Sequence, residues 1–96
     1  MYGTVARFRI KPGSEGKLQA QFRDFEKLNI PGYKGSTLYR LDSGDNEYYM
    51  TVIFDSKDAY TKNADDPAQD TRYKEMLAIM EGEPEWHDGE IVYSGP

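Results

Sequence analysis

Three stretches of this chain have the pattern of β-strands that offer apolar or aromatic side chains to both faces of a sheet. In residues 48–54 (YYMTVIF), the even-numbered positions share one face, and Tyr49, Thr51 and Ile53 share the other. This follows because successive side chains of a strand point to opposite sides. The chain has helical segments for one face only. We therefore expect a second copy of the protein to cover the other face.

Composition places the chain in a narrow set of classes. Its 96 residues predict a single domain over 1–96, with a small hydrophobic core. The absence of cysteine excludes disulfides, thiolate metal sites and cysteine nucleophiles, and the single histidine excludes a multi-histidine metal site within one subunit. We therefore expect no metal.

Charge and hydropathy exclude two kinds of partner. The formal net charge is -5, whereas nucleic-acid binding needs clustered Lys and Arg to contact phosphates. No apolar run approaches the roughly 20 residues of a membrane span, and the N-terminus has no signal-peptide pattern. We expect a cytoplasmic protein that binds neither nucleic acid nor membrane.

Apolar periodicity and chain breakers predict four strands, with one helical region after the first strand and another after the third. The order β-α-β-β-α-β is the split βαβ pattern of ferredoxin-like folds. An α+β fold follows, with a four-stranded antiparallel sheet and the helices on one face. The predicted strands are 2–10, 33–41, 47–54 and a stretch within 86–93 whose most secure part is 90–93.

Capping signals mark where the helices begin. Ser14 is a plausible N-cap for a helix that runs to about residue 28, and Ser56 for a short helix that runs to about residue 63. Asp66 is the predicted N-cap of a further helix that begins directly after the short one, because Pro67 suits the first helical position and Gln69 can complete a capping box.

Alternation also predicts the faces of the second strand. Tyr33, Thr37 and Tyr39 share one face of residues 33–41, and Leu38 and Arg40 share the other.

The chain resembles the antibiotic biosynthesis monooxygenase-like family of dimeric α+β barrel proteins. Three segments carry the resemblance: 7–13 (RFRIKPG), 31–36 (PGYKGS) and 54–60 (FDSKDAY). The third looks like the family's Trp-x-Ser-x-x-Ala pattern, with Phe54 in place of Trp. The resemblance implies a dimer whose two sheets face each other, with a pocket between sheet and helices in each subunit.

Activity in this family is mixed, so the resemblance implies several reactions. Its members include cofactor-independent monooxygenases of aromatic phenols, quinol oxygenases, haem-degrading enzymes and proteins without a known role. The haem-degrading members use an Asn on the first strand, a Trp ending the third and a His on the second helix. The corresponding positions here are near Ala6, at Phe54 and at Asn63 to Ala64. None matches, which disfavours haem degradation and leaves Asn63 closest to the place of the helix histidine.

Two residues near the start of the last predicted strand have alternative interpretations. His87 lies among carboxylates that favour its imidazolium form, so it could act as an acid or base; the commoner case is a surface histidine in an acidic turn. Trp86 could line an aromatic pocket, although a lone Trp near a strand end is more often a packing or interface anchor.

Tyrosines and arginines on the strands are further candidates. The phenols of Tyr39 and Tyr49 could hydrogen-bond a ligand while their rings stack on it, and Arg7, Arg9 or Arg40 could stabilise its anion. The alternative is that the tyrosines fill an interface and the arginines lie along the sheet edge.

Two functions therefore remain open. The first is a cofactor-independent monooxygenase that binds a small aromatic or quinol substrate between sheet and helices and needs no cofactor. The second is a non-catalytic dimer that binds a small molecule or has a regulatory role. For the first, the candidate catalytic residues are Asn63, Tyr49 and His87, and the candidate substrate-binding residues are Arg7, Tyr39, Phe54 and Trp86.

Overall fold

The computed structural model describes residues 1–96 and has four strands and three helices. The strands form one antiparallel sheet in the order β2-β3-β1-β4. The α+β ferredoxin-like prediction is confirmed, with the second helical region divided into two helices. The elements are β1 (Tyr2–Arg9), α1 (Glu15–Glu26), β2 (Tyr33–Arg40), β3 (Glu47–Phe54), α2 (Lys57–Asp65), α3 (Pro67–Leu77) and β4 (Glu85–Glu90).

The core lies between the helices and the even-numbered side chains of the two central strands. Ala6 of β1 is paired with Met50 of β3, and Phe8 with Tyr48, so these side chains share a face. Leu18 of α1 packs on them and is fully buried. The buried cluster consists of Ala6, Phe8, Ile10, Leu18, Tyr48, Met50 and Met80.

The capping predictions for α2 and α3 are confirmed. The Ser56 hydroxyl accepts a hydrogen bond from the Ala59 backbone N–H at 3.1 Å, and the Asp66 carboxylate accepts one from Ala68 at 2.9 Å. Pro67 occupies the first helical position of α3, where its missing N–H leaves no helical hydrogen bond unmade.

Ser14 occupies the N-cap position of α1, as predicted, although its side chain makes no capping hydrogen bond. One capping prediction is wrong. Gln69 does not complete a capping box, because its side-chain carbonyl instead accepts a hydrogen bond from Arg72 Nε at 2.9 Å.

A close contact at Gly32 joins two of the segments that carry the family resemblance. Gly32 has a φ of +82°, and a Cβ at this position would lie 2.5 Å from the Cβ of Ala59. Its carbonyl accepts a hydrogen bond from the Asp55 backbone N–H at 2.8 Å. Only glycine fits both the backbone conformation and the space, so this contact fixes where α2 leaves the sheet.

The last strand lies earlier in the chain than predicted. β4 pairs with β1 from Glu85 opposite Arg7 to Glu90 opposite Tyr2. The expectation of a strand over 90–93 is wrong, because the strand pairing with β1 ends where Glu90 lies opposite Tyr2. Ile91 makes one more hydrogen bond, from its N–H to the Met1 carbonyl at 2.8 Å. Beyond it, Val92 is 93% exposed.

The predicted alternation of β2 is wrong at its first residue. Tyr33 pairs with Phe54, but Gly35 pairs with the next residue, Ile53, so Lys34 is an extra residue. Such a bulge reverses the alternation on one side of it. Tyr33 therefore lies on the helix face, with its ring 5.0 Å from that of Phe25, rather than with Tyr39.

The other face of the sheet is not covered by any element of the chain. Val5 and Tyr39 on this open face are 45% and 55% exposed. Glu47 is buried there, in ion pairs with Arg7 and Arg9. Among the helices, none has both the length and the apolar character needed to cross a membrane.

A charged network fastens α1 to the edge of the sheet. Glu15 accepts hydrogen bonds from Arg40 Nη2 at 2.8 Å and from the Tyr48 hydroxyl at 2.7 Å. The Arg40 bonds, followed by the Tyr48 bond, lower the pKa of Glu15 to about 2. Burial and the bond to Glu15 raise the pKa of Tyr48.

The pKa of Glu15 predicts a pH-dependent stability. A carboxyl whose pKa is lower in the folded state than the ordinary 4.5 stabilises the fold above that value, and the contribution is lost as pH falls toward 2. The difference in unfolding free energy between the wild type and Glu15→Gln should therefore shrink over this range, as followed by denaturant unfolding at each pH.

The matched control is Glu26→Gln in the last turn of the same helix, where the carboxylate has no ion pair. This substitution should leave the pH dependence as in the wild type. A wild-type advantage over Glu15→Gln that is the same at every pH would contradict the assignment.

Candidate active-site cavity

A cavity of about 470 Å³ separates the sheet from the helices. Residues from all seven elements line it, and eleven of the nineteen are hydrophobic. Its volume is within the range of about 300–1,000 Å³ that small-molecule sites occupy. Its aromatic lining comprises Phe22, Phe25, Tyr33, Phe54, Tyr60, Tyr73 and Trp86.

Four of the aromatic rings form a continuous wall. The centroids of Phe25 and Tyr33 are 5.0 Å apart, those of Tyr33 and Phe54 5.7 Å, and those of Phe54 and Tyr60 5.6 Å. All three contacts are edge-to-face, the arrangement that ring quadrupoles favour. The wall is thus held by its own contacts and presents an aromatic surface to the cavity.

Buried polar atoms without hydrogen-bond partners are concentrated in residues that line the cavity. A buried polar atom without a partner is unfavourable and uncommon in folded proteins. Polar groups of a bound molecule would satisfy these atoms. They are Thr4 Oγ1, Gln21 Oε1, Asn63 Oδ1 and Arg72 Nη2.

Tyr60 and Asp88 form a hydrogen-bonded pair on the cavity wall. The Tyr60 hydroxyl donates to Asp88 Oδ1 at 3.0 Å. Burial, together with the nearby Asp88 charge, raises the pKa of Tyr60 to about 12. Tyr60 is therefore protonated and a donor at neutral pH.

Nowhere in the chain are three or more His, Asp or Glu side chains grouped so that they could hold a metal ion.

Three of the seven residues predicted from the sequence line this cavity. Asn63 reaches it from α2 and Phe54 from the end of β3, where the ring is only 1% exposed. Trp86 reaches it from β4 and is in contact with Tyr73, with the ring centroids 5.9 Å apart.

The other four predicted residues lie on the open face of the sheet. The strand pairing places Arg7 and Tyr39 each opposite Tyr49, and His87 opposite Val5. The structure does not bring these four side chains together with Asn63. His87 Nε2 lies 2.9 Å from the Glu85 carboxylate, and both side chains are exposed.

Sequence reasoning missed several polar residues of the cavity, and spacing could have found two of them. Tyr60 lies three residues before Asn63, which places both on one side of α2. Asp88 lies two residues after Trp86 and therefore shares its face of β4. Arg72 had no such signal, because its lack of an ion pair is a property of the folded chain.

Comparison with known families identifies the class of protein. The sequence model of the antibiotic biosynthesis monooxygenase family matches residues 1–70. The chain therefore belongs to this family.

Solved structures with the same fold include members of this class. A mutant of SnoaB, a cofactor-independent oxygenase from Streptomyces nogalater, has a TM-score of 0.81 and 20% identity, with 99% of this chain and 96% of that chain covered. A candidate antibiotic biosynthesis monooxygenase from Caulobacter crescentus CB15 has a TM-score of 0.78 and 22% identity, with 96% and 90% covered. At these identities the likeness shows the fold alone. No curated protein matches the chain.

The environment of Tyr60 predicts a late-titrating phenol. Because its pKa of about 12 exceeds the ordinary 10, Tyr60 stabilises the fold below pH 10 and loses that contribution as pH rises toward 12. Tyrosinate absorbance followed against pH should show a component near pH 12 whose amplitude is smaller in Tyr60→Phe.

The control for this titration is Tyr93→Phe, since Tyr93 is 84% exposed in the C-terminal segment. This variant should keep the late component. A late component that is as large in Tyr60→Phe as in the wild type would refute the assignment.

Proposed function

We propose that this protein is a cofactor-independent monooxygenase whose substrate is a small aromatic or quinol compound bound in the cavity between sheet and helices. The observation that carries the proposal is an aromatic-lined cavity in which Asn63 Oδ1 is buried without a partner. Membership of the antibiotic biosynthesis monooxygenase family supports it. So does the shared fold of SnoaB, which is described as a cofactor-independent oxygenase.

Binding relies on the aromatic wall. A planar substrate placed against Phe25, Tyr33 and Phe54 buries apolar surface and makes ring–ring contacts, each of which contributes about 0.5–1.5 kcal/mol beyond the buried area. Trp86, which is 39% exposed, reaches the cavity from the last strand. Its ring adds a further contact for the substrate.

The reaction draws its electrons from the substrate. The anion of a phenol or quinol attacks O₂ through a ring carbon, and the resulting peroxide loses water to leave a quinone. One oxygen atom enters the product and the other leaves as water, so the four electrons that reduce O₂ come from the substrate. The protein has to bind the substrate, favour its anion and exclude bulk water.

Asn63 orients the reacting hydroxyl in this proposal, and Tyr60 keeps its own proton. Asn63 Oδ1 accepts the hydrogen bond of the substrate hydroxyl and orients it. Tyr60 remains protonated at neutral pH because its pKa is raised to about 12. Its hydroxyl hydrogen is held by Asp88, so Tyr60 does not take up the substrate proton.

The open face of the sheet supports a homodimer as part of the same proposal. The accessible surface of the chain is 6385 Å², compared with about 5,600 Å² for a monomeric protein of this mass. Arg7, Tyr39, Tyr49 and His87 lie on this face and would contribute to the interface rather than to the cavity. We also retain the cytoplasmic location expected from the sequence.

Oxygen uptake tests the reaction. The purified protein should consume O₂ above the no-protein rate with at least one compound of a panel of polycyclic phenols and quinols. Asn63→Ala should lower kcat/KM by about 10²-fold, because the substrate hydroxyl loses the hydrogen bond that orients it for reaction.

The matched control is Gln19→Ala, which removes an exposed amide of α1 outside the cavity and should leave turnover unchanged. No uptake across the panel, in the presence of measurable binding, would contradict the oxygenase and support the non-catalytic binding protein.

Light scattering tests the dimer. The wild type should have twice the chain mass at micromolar concentration and bury more than about 1,000 Å² in total. Val5→Lys should give a monomer, because Val5 is 45% exposed on the open face. Leu28→Lys, at a side chain that is 48% exposed beside the helices, should remain a dimer. A wild-type monomer would refute this part of the proposal.

A further inference from the structure

Arg72, in the middle of α3, is a cation on the cavity wall without a counter-charge. No carboxylate oxygen lies within ion-pair distance of its guanidinium, whereas four other Lys and Arg side chains have such a partner. Its Nη2 atom is buried and has no hydrogen-bond partner. A buried donor left without a partner is costly, so the position favours a ligand that supplies an acceptor of opposite charge.

The groups that contact Arg72 hold it in place without neutralising it. Its Nε donates to the neutral side-chain carbonyl of Gln69 at 2.9 Å. Its guanidinium carbon lies 5.5 Å from the centroid of the Phe25 ring, a cation–π contact that fixes the plane of the group. The guanidinium is thereby oriented but keeps its full charge and its terminal donors.

The carboxylates near the cavity do not compete for Arg72. Asp70 is paired with Lys74 Nζ at 3.0 Å, and Asp88 accepts from the Tyr60 hydroxyl. A smaller cavity of about 220 Å³ shares Gln21, Phe25 and Arg72 with the main one. Its lining also includes Asp24 and Glu75, neither of which forms an ion pair with Arg72.

A neutral acceptor lies at the same end of the cavity. Gln21 of α1 donates through Nε2 to the Glu75 carbonyl at 3.3 Å, which ties α1 to α3. Its Oε1 is buried without a partner. A donor at Arg72 and an acceptor at Gln21 are the pair that a carboxylate with a neighbouring hydroxyl would satisfy, because the guanidinium binds the carboxylate oxygens and the amide accepts from the hydroxyl.

We propose that the end of the cavity between α1 and α3 is a subsite for a carboxylate, held by Arg72, and that the ligand of this protein is therefore an aromatic acid. This inference rests on the proposed function in one respect, namely that the cavity binds an aromatic compound. It adds the acidic group and the end of the cavity at which that group lies.

Binding of a matched pair of compounds tests the subsite. Hydroxynaphthoic acid and hydroxynaphthamide have the same shape and differ in charge. Trp86 is the only tryptophan and lines the cavity, so quenching of its fluorescence reports binding of either. The wild type should bind the acid about tenfold or more tightly than the amide, as expected for a charged hydrogen bond.

Arg72 variants assign that preference to the side chain. Arg72→Gln should lower the affinity for the acid to that for the amide and leave the affinity for the amide unchanged. Arg72→Lys should keep part of the preference, because the charge remains while the two-pronged geometry is lost. Arg23→Gln, at an exposed arginine outside both cavities, should keep all of it.

The outcomes separate this inference from the proposed oxygenase activity. Equal affinities in the wild type, a preference that survives in a folded Arg72→Gln, or no quenching by either compound would overturn the subsite. If Arg72→Gln does not fold, an undiminished preference in Arg72→Lys with the wild-type affinity for the acid would overturn it as well. An acid preference that Arg72→Gln removes, without any O₂ uptake, would support the subsite and contradict the oxygenase. O₂ uptake with neutral phenols, together with equal affinities for the acid and the amide, would support the oxygenase and contradict the subsite.

Discussion

The register between β1 and β3 is the constraint on which the rest of this structure depends. It pairs Thr4 with Val52 and Ala6 with Met50, and so sends one set of side chains toward the helices and the other toward the open face. A slip of one residue would exchange the two sets. The same register separates two adjacent tyrosines: Tyr48 bonds to Glu15 under α1, whereas Tyr49 lies on the open face. Core, cavity and open face are therefore consequences of one pairing.

Much of the fold could be predicted from the sequence because local signals and tertiary structure agree. Ser56 and Asp66 cap helices as their residue types suggest, and strand alternation places the core correctly. The failures occur where a partner strand decides the outcome. Residues 90–93 have high strand propensity, but the pairing with β1 ends at Glu90, opposite Tyr2. The bulge at Lys34 lies beside Gly35, a residue type that often marks a bulge within a strand, but its position is decided by the pairing with β3.

The site was predictable only in part, for a related reason. Asn63, Phe54 and Trp86 line the cavity, whereas Arg7, Tyr39, Tyr49 and His87 do not. Residue type indicated which side chains could carry chemistry, but the face on which each one lies depends on strand register and on where the helices pack. The unpaired guanidinium of Arg72 and the raised pKa of Tyr60 arise from burial and neighbours distant in sequence.

The cavity occupies much of the space that a hydrophobic core would fill. Only 13 of 96 residues are buried, and three of them, Thr4, Met50 and Phe54, also form the cavity wall. A bound molecule would thus act as an additional part of the core and raise the free energy of unfolding in proportion to the logarithm of its concentration. The same side chains therefore bind the ligand and stabilise the fold. A lineage that reshapes this cavity for a new aromatic compound must therefore also preserve the stability of the whole domain.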